Sequence, residues 1–193
     1  MPTAEFIKSA ANPADFPADT GKEVAFVGRS NSGKSTAVNL VTGARKLARV
    51  SKTPGRTQLL NFFSLGDGRR LVDLPGYGFA RVAPEVQARW RTSLERYLSE
   101  RASLAGLVVT MDIRRGVTAL DDQLLRWLEP RGVPVAVLLT KADKLSRSAA
   151  IAQQRKLAAE LHPGIKVARF SSLTGDGVGE AQTWIEAWLG PQK

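Results

Sequence analysis

Eight residues, Gly28-Arg29-Ser30-Asn31-Ser32-Gly33-Lys34-Ser35, narrow the choice of folds more than any other feature of this chain. They follow a short apolar run, Glu23-Val24-Ala25-Phe26-Val27, of strand length, and they open a stretch from Lys34 to Thr42 that reads as a helix. A GxxxxGKS turn between a buried strand and a helix is a cradle for phosphate. The glycines let backbone N–H groups turn inward, and the helix N-terminus adds a favourable dipole. In that setting Lys34 reaches the β- and γ-phosphates of a nucleoside triphosphate, and the Ser35 hydroxyl holds Mg2+.

Downstream, strands and helices alternate. Strands are expected around Leu59–Leu65 and Arg70–Leu74, joined by a Gly66-Asp67-Gly68 hairpin turn. Further strands are expected at Leu107–Met111, Val133–Leu139 and Ile165–Phe170. Helices are expected at Pro84–Glu100, Leu120–Leu128, Ala149–Leu161 and Val178–Leu189. Apolar strands alternating with helices imply a three-layer α/β fold: a mostly parallel, six-stranded sheet, one antiparallel edge strand from the hairpin, and helices on both faces. Residues 1–22, rich in turn formers, read as an irregular N-terminal extension anchored by Phe6, Ile7 and Phe16. Residues 23–193 read as one domain.

Three more signals fall at strand ends, where ligands bind in such sheets. Asp73-Leu74-Pro75-Gly76 ends the third strand; Asp73 is placed to act on magnesium and the Gly76 N–H to sense the terminal phosphate. Thr140-Lys141-Ala142-Asp143 follows the most apolar strand. An aspartate there accepts two hydrogen bonds from guanine N1–H and its exocyclic amine, a pair that adenine lacks, and Lys141 lies across the base. Phe170-Ser171-Ser172-Leu173 follows the last strand, where a short loop presents backbone N–H to guanine O6. Thr57, just before the second strand, is the expected switch threonine completing the magnesium shell, with Thr53 its rival.

Ser51-Lys52-Thr53-Pro54-Gly55-Arg56-Thr57-Gln58 and Asp73-Leu74-Pro75-Gly76-Tyr77-Gly78 resemble the EngB family, also called YihA or YsxC. So do Gly106-Leu107-Val108-Val109, Met111-Asp112-Ile113-Arg114 and Leu139-Thr140-Lys141-Ala142-Asp143-Lys144-Leu145. The resemblance runs from about Glu23 to the C-terminus. It implies a P-loop GTPase fold of the TRAFAC class and hydrolysis of GTP to GDP and phosphate. It also implies a role in assembly of the large ribosomal subunit and a need for the protein in normal cell division and septation. It brings Gly55, Arg56, Gln58 and Leu59 into the nucleotide-binding set beside Thr57. Thr140 departs from the family's usual asparagine.

The residue after the DxxG glycine often is a glutamine that orients the attacking water; here it is Tyr77, so a slow intrinsic rate is expected. Completion from a partner or a monovalent cation is then required. Asn31 in Gly-x-x-Asn-x-Gly-Lys-Ser resembles the asparagine of potassium-activated GTPases, which makes K+ the candidate cation. The catalytic set is therefore Lys34, Thr57, Gly76 and Asn31.

Composition speaks to partners. Among 193 residues, 28 Lys and Arg against 18 Asp and Glu give a net charge of +10, which favours polyanions. Arg45, Lys46, Arg49, Lys52 and Arg56 crowd one loop without an acidic residue, and Arg81, Arg89, Arg91 and Arg96 lie on or near the helix after Gly76. Ribosomal RNA of the large subunit is the expected partner, engaged when GTP orders these segments. The competing reading is a GTP-gated binding module for a division or other protein, with hydrolysis as a reset. With no cysteine, disulfides and thiolate metal sites are excluded. The longest apolar stretch, Val133–Thr140, is strand-sized, so a cytoplasmic monomer without a membrane segment or signal peptide is expected.

Overall fold

A computed structural model of the chain describes residues 1–44, 47–48, 59–77 and 84–191, with residues 84–91 by their backbone alone. Seven strands form one sheet: β1 (Glu5–Ala10), β2 (Lys22–Gly28), β3 (Leu60–Ser64), β4 (Arg69–Asp73), β5 (Leu104–Asp112), β6 (Val135–Thr140) and β7 (Lys166–Arg169). Among the described residues five α-helices accompany them: α1 (Lys34–Thr42), α2 (Pro84–Glu100), α3 (Ala119–Leu128), α4 (Arg147–Glu160) and α5 (Val178–Leu189). The strand order is β1-β3-β4-β2-β5-β6-β7. Neighbours are parallel from β4 to β7, whereas β3 is antiparallel to both β4 and β1.

The period-2 alternation of each strand divides the core. Ala25, Val27, Val72, Leu107, Val109, Val137 and Leu139 face one layer with Leu94 and Leu98 of α2, Leu124 and Leu128 of α3 and Leu157 of α4. Val24, Phe26, Leu71, Val108 and Leu138 face the other, under Val38 and Val41 of α1 and Ile185 and Leu189 of α5. Both sheet faces are thus covered, which a parallel sheet requires. Trp184 and Trp188 pack on the second layer, as expected; a side chain at Gly106 would run into Trp188 at 2.2 Å.

Residues 5–10, expected to be irregular, form a seventh strand outside the hairpin. Its register with β3 shifts between Phe6 and Lys8, which leaves Ile7 in a bulge with its side chain turned out rather than anchored. Phe6 touches Phe63 edge-on at 5.9 Å while remaining largely exposed. Phe16 does anchor, packing on Phe62 and Tyr97 at 5.6 and 5.8 Å. Beneath it the fully buried Glu23 accepts hydrogen bonds from Arg70 (2.7 Å), Arg101 (2.7 and 3.0 Å) and the Tyr97 hydroxyl (2.9 Å). A buried carboxylate demands such a set of donors. The same two arginines reach the Ala18 carbonyl at 3.1 and 3.4 Å. Residues 16–20, Glu23 and the C-terminal end of α2 are therefore tied into one unit. Among the described residues no helix is long and apolar enough to cross a membrane.

Candidate nucleotide site at the carboxyl ends of the strands

The loops after β2, β4, β5, β6 and β7 meet at one end of the sheet. The loop from Gly28 to Gly33 turns on two backbone demands. A Cβ at Gly28 would lie 2.1 Å from Thr110 Oγ1 and 2.4 Å from Ser32 Oγ, so only glycine permits this approach to β5. Gly33, with φ 85°, is left-handed and starts α1. Asn31 is also left-handed at φ 63°, a conformation asparagine tolerates better than most residues. Ser32 Oγ lies 2.7 Å from Thr110 Oγ1, which fixes the loop from below. Gly28, Arg29, Ser30, Asn31, Ser32, Gly33, Lys34 and Ser35 thus line a continuous backbone path into the N-terminus of α1.

The Lys34 ammonium sits on the Asp73 carboxylate at the end of β4. Both side chains are largely buried, so the pair marks the polar centre of the site. Leu74 and Pro75 are buried, and Leu74 N–H donates to the Phe26 carbonyl at 2.9 Å, which sets the path of the chain to Gly76. Tyr77 and the phosphate loop exchange backbone bonds: Ser30 N–H to Tyr77 O at 2.9 Å and Tyr77 N–H to Gly28 O at 3.2 Å.

The Tyr77 side chain turns away from the phosphate loop into the core. It is buried and its hydroxyl donates to Asp121, which also accepts from the Thr118 N–H and hydroxyl at 2.8 and 2.7 Å. Burial first, then the Asp121 charge, pushes the phenol well above its ordinary range, so it remains protonated. The tyrosine therefore serves as a strut to the N-terminus of α3, its hydroxyl committed to Asp121. Tyr77→Phe is expected to lower stability by roughly 1–3 kcal/mol, the cost of leaving a buried acceptor short of a donor. Single-turnover GTP hydrolysis is expected to stay within about twofold of wild type. Urea unfolding and single-turnover kinetics measure both, and a hydrolysis rate lowered tenfold or more would restore a catalytic part to Tyr77.

Thr140 replaces the asparagine expected of the family and makes a contact of its own. Its hydroxyl lies 2.6 Å from the Ser32 carbonyl and 3.0 Å from the Met111 carbonyl, and so ties β6 to the phosphate loop. Lys141 is left-handed at φ 59°, and its ammonium donates to the Asn31 carbonyl at 2.8 Å and to Asp112 at 3.0 Å. Ala142 is buried, and its N–H reaches the Phe170 carbonyl at 3.2 Å. Phe170 itself lies in the core, so its share in the site is made by the backbone.

Asp143 accepts a hydrogen bond from the Ser171 hydroxyl at 2.8 Å, with Lys144 at 3.5 Å. The Ser171 bond is the chief reason its carboxyl is held below the usual range. An ionised Asp143 is what two guanine donors require. In the loop after β7, Ser171 N–H bonds to Asp176 O at 3.0 Å, and the N–H groups of Leu173 and Thr174 bond to Ser171 Oγ at 3.2 and 3.3 Å. Among the described residues only the Ser172 N–H of these four lacks such a bond, so it is the one available to a purine carbonyl.

Gly55, Arg56, Thr57 and Gln58 lie outside the described residues; Leu59 is a half-exposed bend before β3. The metal-binding part of Thr57, like the basic cluster Arg45 to Arg56, is therefore placed by sequence alone. Sequence reasoning passed over Thr110, the supporting part of Ser171 and the role of Asp112. The signal was present in β5: Thr110 and Asp112 break an otherwise apolar strand on alternate positions, the face on which Val108 packs under α1 and α5.

The family model described as 50S ribosome-binding GTPase matches residues 23–141. A protein of Thiobacillus denitrificans named "Probable GTP-binding protein EngB" is 52% identical over 191 residues, 98% of this chain and 92% of that one. An Escherichia coli protein of the same name is 48% identical over 187 residues, 95% of this chain and 89% of that one. Among solved structures, a probable GTP-binding protein engB superposes with a TM-score of 0.70 at 24% identity, covering 86% of this chain and 98% of that one. The ribosomal-RNA-bound Era structure with MgGDPNP superposes with a TM-score of 0.69 at 22% identity, covering 89% of this chain and 58% of that one. These two likenesses, under 25% identity, concern the fold.

Proposed function

The chain belongs to the EngB family of GTP-binding proteins, a family of GTPases, and from that premise we propose that it works as a slow GTP-driven switch in assembly of the large ribosomal subunit, in the cytoplasm and as a monomer. The observation that carries the partner is the charge. The net charge is +10, and Arg45, Lys46, Arg49, Lys52 and Arg56 follow the phosphate-loop helix in a stretch without an acidic residue. Cations that lie in the sequence between the phosphate-loop helix and the candidate switch residue Thr57 would couple nucleotide state to polyanion binding. The description of the matched family, 50S ribosome-binding GTPase, supports the same reading. A need for the protein in normal cell division and septation is part of the same proposal.

The test is co-sedimentation with purified large ribosomal subunits, using a non-hydrolysable GTP analogue, GDP or no nucleotide at two salt concentrations. Binding is expected to be strongest with the analogue and to weaken steeply with salt. No binding in any state sinks the ribosomal reading and moves the division-protein alternative forward.

Magnesium fits the donor set: hydroxyl and carboxylate oxygens are hard ligands, and Mg2+ held with a nucleotide needs no more than one or two carboxylates from the protein. Ser35 and Asp73, with Thr57, would hold it. When bound it would neutralise charge on the β- and γ-phosphates. The chain's own share is to wrap the phosphates with N–H groups of the phosphate loop, to bring Lys34 to them, and to orient the base through Asp143. Asn31, exposed at the tip of that loop, is the residue that would face a potassium ion. GTP hydrolysis is accordingly expected to run several-fold faster in K+ than in Na+ at equal ionic strength. Equal rates in the two salts remove K+ from the mechanism.

A further inference from the structure

Met111-Asp112-Ile113-Arg114 carries part of the family resemblance, yet Asp112 belongs to none of the phosphate, metal or base motifs. Its side chain is only 5% exposed at the end of β5, beside the site rather than in it. One oxygen accepts the Arg114 backbone N–H at 3.1 Å and Arg114 Nε at 2.9 Å; the other accepts Arg114 Nη2 at 2.6 Å and the Lys141 ammonium at 3.0 Å. Lys141 in turn donates to the Asn31 carbonyl at 2.8 Å. The loop after β2, the end of β5 and the loop after β6 therefore meet at one ammonium.

We propose that Asp112 is a positioning residue for guanine-nucleotide binding: its carboxylate holds the Lys141 ammonium against the phosphate loop, so that the lysine stem is already laid where the purine ring stacks. This rests on the guanine-loop reading of residues 140–143. A free lysine loses rotamer freedom when it is ordered, and that loss weakens binding unless it is met beforehand. The neutral Asn31 carbonyl is a weaker acceptor than an ionised carboxylate, so Asp112 supplies the stronger half of the tether. Arg114 steadies Asp112 from the other side; its guanidinium is the main reason the Asp112 carboxyl lies well below the ordinary range and stays charged. Lys141 is also held in a left-handed backbone conformation, which aims its stem across the gap to Asn31.

Asp112 acts through Lys141, so its effect differs from that of Asp143. The stem meets the ring face, which guanine and hypoxanthine share; Asp143 reads the exocyclic amine, which hypoxanthine lacks. Asp112→Asn keeps an acceptor for the Arg114 N–H turn and loses the charge that holds the ammonium. The experiment is titration of the full chain with fluorescent GDP and IDP, for wild type, Asp112→Asn, Lys141→Ala and the double variant, with melting temperatures recorded. Asp112→Asn is expected to weaken GDP and IDP alike by about tenfold, to leave their ratio unchanged, and to add nothing in the Lys141→Ala background. Asp112→Ser, which also retains a turn acceptor, is expected to repeat this result. GDP affinity within twofold of wild type, an equal loss in the Lys141→Ala background, or a collapsed GDP-to-IDP ratio overturns the proposal. Asp143→Asn serves as the control: if it leaves GDP binding intact, the guanine-loop reading itself has failed, whatever Asp112 does.

Discussion

Lys34→Ala is expected to lower kcat/KM for GTP by about a thousandfold or more and to weaken GTP-analogue binding strongly. The ammonium sits at the polar centre of the site on Asp73, and a single well-placed cation or donor on a transferring phosphoryl group is worth about 10^2- to 10^5-fold. Its partner Asp73 is buried at the end of β4 and, of the described residues, pairs with Lys34 alone. The substitution therefore also strands a carboxylate, and the variant is expected to be less stable than wild type. Calorimetric titration with GDP and a GTP analogue, single-turnover hydrolysis and a melting curve separate the effects. Hydrolysis within tenfold of wild type would contradict the assignment of the phosphate loop.

The second large effect is on base choice. Asp143→Asn is expected to lower GTP affinity by about 10^2- to 10^3-fold, since two charge-assisted bonds to guanine N1–H and its amine are lost or weakened at roughly 1.5–3 kcal/mol each. Xanthosine triphosphate, which carries a carbonyl where guanine has its amine, is expected to gain affinity because the new amide can donate to it. The fold should survive, as an asparagine carbonyl can still accept the Ser171 hydroxyl that Asp143 accepts at 2.8 Å. Competition of both triphosphates against a fluorescent nucleotide reads the ratio directly. An unchanged preference for GTP over xanthosine triphosphate removes Asp143 from base recognition.

Much of this site was legible in one dimension because its parts are local. GxxxxGKS, DxxG and TKxD each need only a few consecutive residues at the end of a strand, and strands announce themselves by period and by apolar content. The helices Lys34–Thr42 and Val178–Leu189 begin and end where capping and periodicity place them, with glycines at their C-caps. Even the Gly66-Asp67-Gly68 turn follows from composition: all three residues are left-handed, a demand that glycine meets freely and aspartate tolerates.

The parts that escaped depend on contacts between distant segments. Glu5–Ala10 carries a bulge and no clean alternation, so its pairing with Leu60–Ser64 shows only when the sheet closes. Tyr77 reads as a replaced catalytic residue until Asp121 is found beneath it. Asp112 reads as a turn residue until Lys141 arrives from the next strand. By itself the sequence determined the order of the motifs, the α/β alternation and the residue types offered to phosphate and base, because those are properties of neighbouring residues and their periods. Only the tertiary structure decided which buried polar groups satisfy one another. In a closed interior each such group must find a donor or acceptor, and which one lies within about 3 Å is settled by how the strands align and not by any local pattern.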